Sequence, residues 1–181
     1  MFQAFIGLGS NVGPRKNNIE SALSHLSEEK GLLLQQVASL YETKPVGGPS
    51  QRDFLNTVAE LHTALTPSKL MMILIGIERQ MGRKREIKWG PRLIDLDLLT
   101  FDRKIIKERG LILPHPYYHL RRFVLVPFCE LNPHYVHPVL KRQNRSLLRQ
   151  LTAPDQRVTM WAKWKKSPSY QFKRKRSLRT S

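Results

Sequence analysis

Ile94, Leu96 and Leu98 alternate with Asp95 and Asp97, and that period of two belongs to a β-strand. At the usual strand rise the two acidic Cα atoms stand roughly 6–7 Å apart on one face. The aliphatic side chains fall on the other face and need a second layer to cover them. The chain must therefore build a sheet with an apolar side and an acid-bearing side. Two neighbouring carboxylates repel and resist desolvation unless a cation lies between them. Either the acids belong to a solvated edge strand or they hold a metal. Magnesium suits the second reading, because it takes oxygen ligands and is commonly bound by one or two carboxylates together with substrate phosphates. Trp89-Gly90-Pro91-Arg92 leads into the strand, and the Gly-Pro pair sets a tight turn that aims Arg92. Arg83, Lys84, Arg85 and Lys88 crowd the loop before it. Acids for a metal beside bases for phosphate predict a nucleoside triphosphate site.

The 181 residues, 40% of them apolar, predict one folded domain with a real core. No apolar run approaches the ~18 residues of a membrane span. The start, Met1 to Ile6, lacks the basic region and cleavage site of a signal peptide. Cys129 is the only cysteine, which leaves no disulfide framework and no cysteine zinc cluster. A reducing, cytoplasmic setting is the expectation. The net charge of +17 is unevenly placed: nine bases and no acid follow Asp155, leaving +8 for residues 1–156. We expect a domain over residues 1–160 and a flexible basic tail over 161–181. A tail of that kind can bind nucleic acid or anionic lipid through charge alone.

Along the chain, residues 2–8 read as a buried strand that ends in Gly7-Leu8-Gly9-Ser10-Asn11-Val12-Gly13. The glycine spacing is not that of a dinucleotide fingerprint, so the stretch is either a strand-to-helix turn or a phosphate contact. Ile19, Ala22, Leu23 and Leu26 predict a helix, which Gly31 closes. A second strand is expected from Leu32 to Tyr41, then a Pro/Gly-rich loop over 42–52. In the strand from Phe54 to Thr63, Phe54 and Asn56 share a face; they either grip a flat heterocycle or are a core ring and a strand-end residue. Thr66 and Pro67 open a helix with Leu70, Leu74, Ile77 and Met81 as its stripe, and Glu78 is expected on its solvated side. Ile105-Ile106 predicts a short strand, Val124–Leu131 a core helix with Cys129 buried in it, and Ser146–Leu151 a last helix. His115 is a candidate for proton transfer or phosphate contact, and His134 and His137 are expected in a surface loop. The element order predicts an α+β sandwich with a largely antiparallel, ferredoxin-like sheet.

Seven elements in succession resemble the 6-hydroxymethyl-7,8-dihydropterin pyrophosphokinase family of folate biosynthesis, over roughly residues 3–133. The fullest match is Lys88-Trp89-Gly90-Pro91-Arg92-Leu93-Ile94-Asp95-Leu96-Asp97-Leu98-Leu99. Around it come Gly9-Ser10-Asn11, Tyr41-x-Thr43-x-Pro45, Phe54-Leu55-Asn56, Glu78-x-x-x-Gly82-Arg83, Pro114-His115 and Phe123-Val124-Leu125. The resemblance implies transfer of the β,γ-pyrophosphoryl group of ATP to the pterin hydroxymethyl oxygen, with release of AMP. By the same resemblance Asp95 and Asp97 would hold two Mg2+ ions, and Arg83, Arg92 and Asp97 would be catalytic. Phe54 and Phe123 would sandwich the pterin, with Thr43, Pro45 and Asn56 at its edge. Glu78, Arg85, Arg92, His115 and Arg121 would line the ATP side.

A competing reading is a nucleic-acid-binding protein that uses Phe54 and Phe123 as stacking platforms. It leaves Asp95 and Asp97 without a role, since carboxylates repel phosphate unless a metal intervenes.

Overall fold

The computed structural model describes residues 1–45, 49–82, 90–153 and 155–164. The elements are β1 (Phe2–Ser10), α1 (Arg15–Glu28), β2 (Leu32–Val37), β3 (Leu40–Thr43), β4 (Phe54–Thr63), α2 (Pro67–Gln80), β5 (Asp95–Phe101), β6 (Ile106–Glu108), β7 (Leu111–Leu113), α3 (Arg122–Leu131), α4 (Asn144–Gln150) and β8 (Val158–Ala162). The main sheet runs β5-β1-β4-β3-β8, with β2 also paired to β4, and its pairings are antiparallel. With β2 and β3 taken as one interrupted strand, the two β-α-β halves give the ferredoxin-like order. The α+β expectation is met.

Alternation along the strands decides what covers each face. Ala4, Ile6, Leu8, Leu96 and Leu98 join the apolar stripes of α1 and α2 in one core. Phe5, Val58 and Leu99 face the other way and pack with Tyr118, Val124, Leu125 and Phe128 around α3. Phe5 and Phe128 meet with ring centroids 4.4 Å apart. This second layer covers β1 from Phe5 to Gly7, where Leu99 packs against the strand. From there the strand carries Gly7 and Gly9, so the same face continues as a floor without side chains.

The structure differs from the sequence reading in places, each for a tertiary reason. The strand expected over Leu32–Tyr41 breaks at Ala38 and Ser39. There Glu130 of α3 accepts hydrogen bonds from Ser39 N, Ser39 Oγ and Tyr41 Oη. Helix α3 starts at Arg122 and α4 at Asn144, both earlier than the periodicity indicates. Ile106 opens β6, which forms its own hairpin with β7. Cys129 is only half-buried, yet burial still pushes its thiol up to about 11.

His137 is not on the surface: it is 3% exposed. It stacks on Tyr118 at 4.9 Å and lies edge-on to His119. Its Nδ1 accepts from the Val139 and Leu140 N–H groups, which stabilises the unprotonated Nδ1 and closes the turn. Burial, then neighbouring His119, hold its pKa down at about 4.

The folded part also continues past residue 160. Trp161 and Ala162 complete β8 against β3, and Trp164 Nε1 donates to the Ala38 carbonyl at 2.7 Å. The basic stretch 165–181 lies outside the described residues. Among the described residues no helix is long and apolar enough to cross a membrane.

Candidate active site

Strand register brings Asp95, Asp97 and Asn56 onto one floor. Gly7 lies opposite Asp97 and Gly9 opposite Asp95 in the β1–β5 ladder. On the other flank Gly7 lies opposite Val58 and Gly9 opposite Asn56. A Cβ at Gly9 would stand 2.8 Å from Asn56 Oδ1, closer than carbon and oxygen can pack. Glycine is needed there for Asn56 to lie flat over the strand. Gly7, Gly9, Asn56, Asp95, Asp97 and Phe123 line the resulting cleft. A larger polar cleft between Gln3, Asp102, Arg103 and Tyr135 lies at the opposite end of β1, away from the acids.

On the β4 flank, Asn56 is nearly buried and its Nδ2 donates to Thr43 Oγ1 at 2.8 Å across the β3–β4 pairing. That bond fixes the carboxamide's orientation, so a planar ligand would meet a preset edge of donors and acceptors. Phe54 is half-buried one strand step away, and Pro45 is half-buried just beyond β3. Phe123, in the first turn of α3, borders the cleft from above, and the Arg121 guanidinium stands 5.6 Å from its ring centre.

On the β5 flank the acids are flanked by arginines. Arg92 pairs with Asp95, and Arg121 Nη1 reaches Asp97 Oδ2 at 3.7 Å. Burial first, and then the adjacent Asp95, push the Asp97 carboxyl up to about 6; Arg121 and Arg92 pull the other way and only partly offset this. The donor set of this face, two carboxylates on one strand, is all oxygen and suits a hard divalent ion that completes its shell with phosphate and water. Among the described residues no third His, Cys, Asp or Glu joins them.

His115 sits beside this flank. Its N–H donates to the Leu99 carbonyl, and its Nδ1 accepts the Tyr117 N–H at 3.2 Å. Burial, then the Arg121 charge, hold its pKa down at about 4, so the ring is neutral at physiological pH and offers Nε2 as a donor.

Glu78 does not lie on a solvated helix face; it is 4% exposed. Its Oε1 accepts the Leu96 N–H at 2.8 Å, on the outer edge of β5, where among the described residues no further strand is paired. Helix α2 thereby ties down the one residue between the two acids.

Asn11 and Arg15 brace the cleft in a way the sequence reading did not anticipate. Asn11 is 2% exposed, its N–H donates to the Arg92 carbonyl, and its Oδ1 accepts the Arg92 N–H at 2.7 Å. Its Nδ2 donates to Gln51 Oε1 and the Arg52 carbonyl. Arg15 donates to the Asp53 carbonyl and pairs with Glu42 at 2.8 Å. Gly7 to Ser10 complete β1, and Asn11 just after it joins the approach to β5 to the approach to β4. An asparagine directly after a glycine-bearing strand was the available signal. Arg83 and Arg85 lie outside the described residues.

A model of the 7,8-dihydro-6-hydroxymethylpterin-pyrophosphokinase (HPPK) family matches residues 5–133. The chain is similar to 2-amino-4-hydroxy-6-hydroxymethyldihydropteridine pyrophosphokinases from several bacteria. It is 43% identical to that of Bacillus subtilis over 128 residues, covering 71% of this chain and 77% of that protein. With the Aquifex aeolicus enzyme the identity is 37% over 142 residues, covering 78% and 88%. With that of Synechocystis it is 33% over 169 residues, covering 93% and 83%. The fold matches a solved Plasmodium falciparum HPPK-DHPS with pteroate at a TM-score of 0.67 and 16% identity. That alignment covers 82% of this chain and 44% of the longer one, so this chain spans less than half of that protein.

Proposed function

The chain belongs to the 7,8-dihydro-6-hydroxymethylpterin-pyrophosphokinase family, and on that premise we propose that the glycine-floored cleft is where it carries out pyrophosphoryl transfer. The enzyme is a diphosphokinase that uses ATP as co-substrate and acts on 6-hydroxymethyl-7,8-dihydropterin in folate synthesis. In the reaction the pterin hydroxymethyl oxygen forms a bond to the β-phosphorus of ATP. The bond from that phosphorus to the α–β bridging oxygen breaks, AMP leaves with the electron pair, and the hydroxyl proton is lost.

The observation that carries the assignment is the shared floor. Asn56 and Phe123 on one flank suit a flat heterocycle, and Asp95 and Asp97 on the other suit a cation-bound polyphosphate, with only Gly7 and Gly9 between. Phosphoryl transfer is mostly positioning and charge neutralisation, so juxtaposition is most of what the protein must supply. Phe54 and Phe123 hold the pterin ring between them, and Asn56, oriented by Thr43, reads its edge beside Pro45. Asp95 and Asp97 would hold two Mg2+ ions, which would neutralise phosphate charge and stabilise the attacking and leaving oxygens. Arg92, which pairs with Asp95, supplies positive charge for phosphate beside the acid pair. By the family resemblance Arg83, outside the described residues, would act on the transferring phosphates as well.

Arg121 and His115 belong to the nucleotide side, His115 as a neutral donor, and by the family resemblance Arg85 would join them. Glu78 acts there through the backbone at Leu96 rather than by touching the nucleotide. Compared with nucleic-acid binding, this reading gives the two acids a purpose.

ATP labelled at the β-phosphate should pass its label to the pterin product, and chelation of divalent ions should stop transfer. Label retained in ADP would overturn the reaction. The metal requirement should carry a pH signature. Protons compete for Asp97 below its raised pKa of about 6, so apparent Mg2+ affinity should fall as pH drops below about 6 and level off above it. An affinity flat from pH 5 to 8 would place the metal elsewhere.

A further inference from the structure

Outside the stretch that matches the family model, the side chain of Gln156 reaches the start of α3, next to the cleft-lining Phe123. Gln156 precedes β8, and its carboxamide bridges the backbone on both sides of Arg121. Its Oε1 accepts the Arg122 N–H at 2.9 Å, and its Nε2 donates to the Leu120 carbonyl at 3.3 Å.

Helix α3 begins at Arg122 and receives no side-chain cap from Arg121 before it. One of its unpaired N–H groups is instead satisfied from 34 residues away. Arg121 itself is extended, at φ −118° and ψ 106°. Its guanidinium lies near Asp97 and stands 5.8 Å and 5.6 Å from the Tyr117 and Phe123 ring centres. Gln156 is in turn anchored, since its own N–H donates to the Ala153 carbonyl and β8 then pairs with β3.

We propose that Gln156 is a positioning residue for Arg121, holding the two flanking peptide units so that the guanidinium stays aimed between Asp97 and Phe123. The role follows from geometry. Arginine has several rotatable bonds, and two bonds from one rigid carboxamide fix the backbone from which they start. The segment after the matched region thereby becomes part of the nucleotide site. The inference rests on the assignment of Arg121 to that side.

Steady-state kinetics on the full chain test it, with Gln156→Leu, Arg121→Ala and the double variant. Gln156→Leu should lower kcat/KM for ATP about tenfold, and the KM for pterin should stay within about twofold. Arg121→Ala should lower kcat/KM for ATP about a hundredfold. In the Arg121→Ala background the added Gln156→Leu change should have less than about a twofold effect, because its target is gone. Equal losses in both backgrounds, or no loss from Gln156→Leu alone, would overturn the proposal. If Arg121→Ala leaves kcat/KM for ATP unchanged, the nucleotide-side assignment fails and this role falls with it. Should the leucine variant not fold, Gln156→Asn takes its place with the same criteria, since the shorter side chain cannot span both peptide units.

Discussion

Replacing Asp97 with alanine should reduce kcat by about 10³-fold or more while the protein stays folded. The two halves of that expectation have one cause. Asp97 stands next to Asp95 on a partly covered face, and its carboxyl is raised to about 6 by burial and by that neighbour. A carboxylic acid whose folded pKa lies above its unfolded value favours folding at low pH, and that contribution is lost as pH rises through the folded value. At pH 7.5 the ionised Asp97 therefore works against the metal-free fold, and removing it should not lower Tm. Because the side chain is 39% exposed, solvent screens much of this effect, and Tm should stay within about 2 °C. Gly7 lies opposite and imposes no shape on the side chain at 97. Kinetics and thermal melts on the same preparation check both halves. A folded variant with near-normal kcat would refute the role of the acid pair. A variant that loses activity because it unfolds would remove the evidence for a chemical role.

Phe123→Ala should weaken pterin binding by about 10- to 100-fold while leaving the KM for ATP within about threefold. The ring borders the cleft next to Gly9 and Asn56, and stacking of a flat base on an aromatic side chain is worth about 1–3 kcal/mol. The smaller effect on ATP has a separate origin: Arg121 loses the ring face it stands over, worth about 0.5–1 kcal/mol at such a site. Direct titration of each substrate separates the two. A larger loss for ATP than for pterin would mean that the two pockets have been exchanged.

The sheet and the position of the acids were legible because they depend on local period. Alternation from Ile94 to Leu98 is enough to put Asp95 and Asp97 on one face, whatever the rest of the chain does. What the period does not contain is the partner. Thr43 and Asn56 read as separate residues on neighbouring strands, and only the β3–β4 register makes them a hydrogen-bonded pair. Glu78 reads as solvated because a lone carboxylate beside an apolar stripe usually turns to water, whereas the edge of β5 that it satisfies lies 18 residues away. His137 sits among prolines and reads as loop, yet Tyr118 and His119 enclose it. The break between β2 and β3 comes from Glu130, about ninety residues along the chain, which offers its carboxylate to the backbone at Ser39. The strand β8 is defined by its pairing with β3 more than by its own pattern, since most of its side chains are exposed.

These misses share a physical origin. A buried polar group is placed by whichever donor or acceptor satisfies it, and that partner can come from anywhere in the chain. The motifs of the cleft were legible as motifs for the same reason that the sheet was, since each lies within a few residues. Their assembly on the Gly7–Gly9 floor is a property of register alone.

The central claim is that one cleft brings ATP and the pterin together for transfer of a pyrophosphoryl group. Its most direct test is AMP release by the purified protein from ATP and Mg2+, measured with and without 6-hydroxymethyl-7,8-dihydropterin. AMP should form only when the pterin is present, in step with its consumption. No AMP from folded protein, or AMP formed equally well without pterin, would contradict the account.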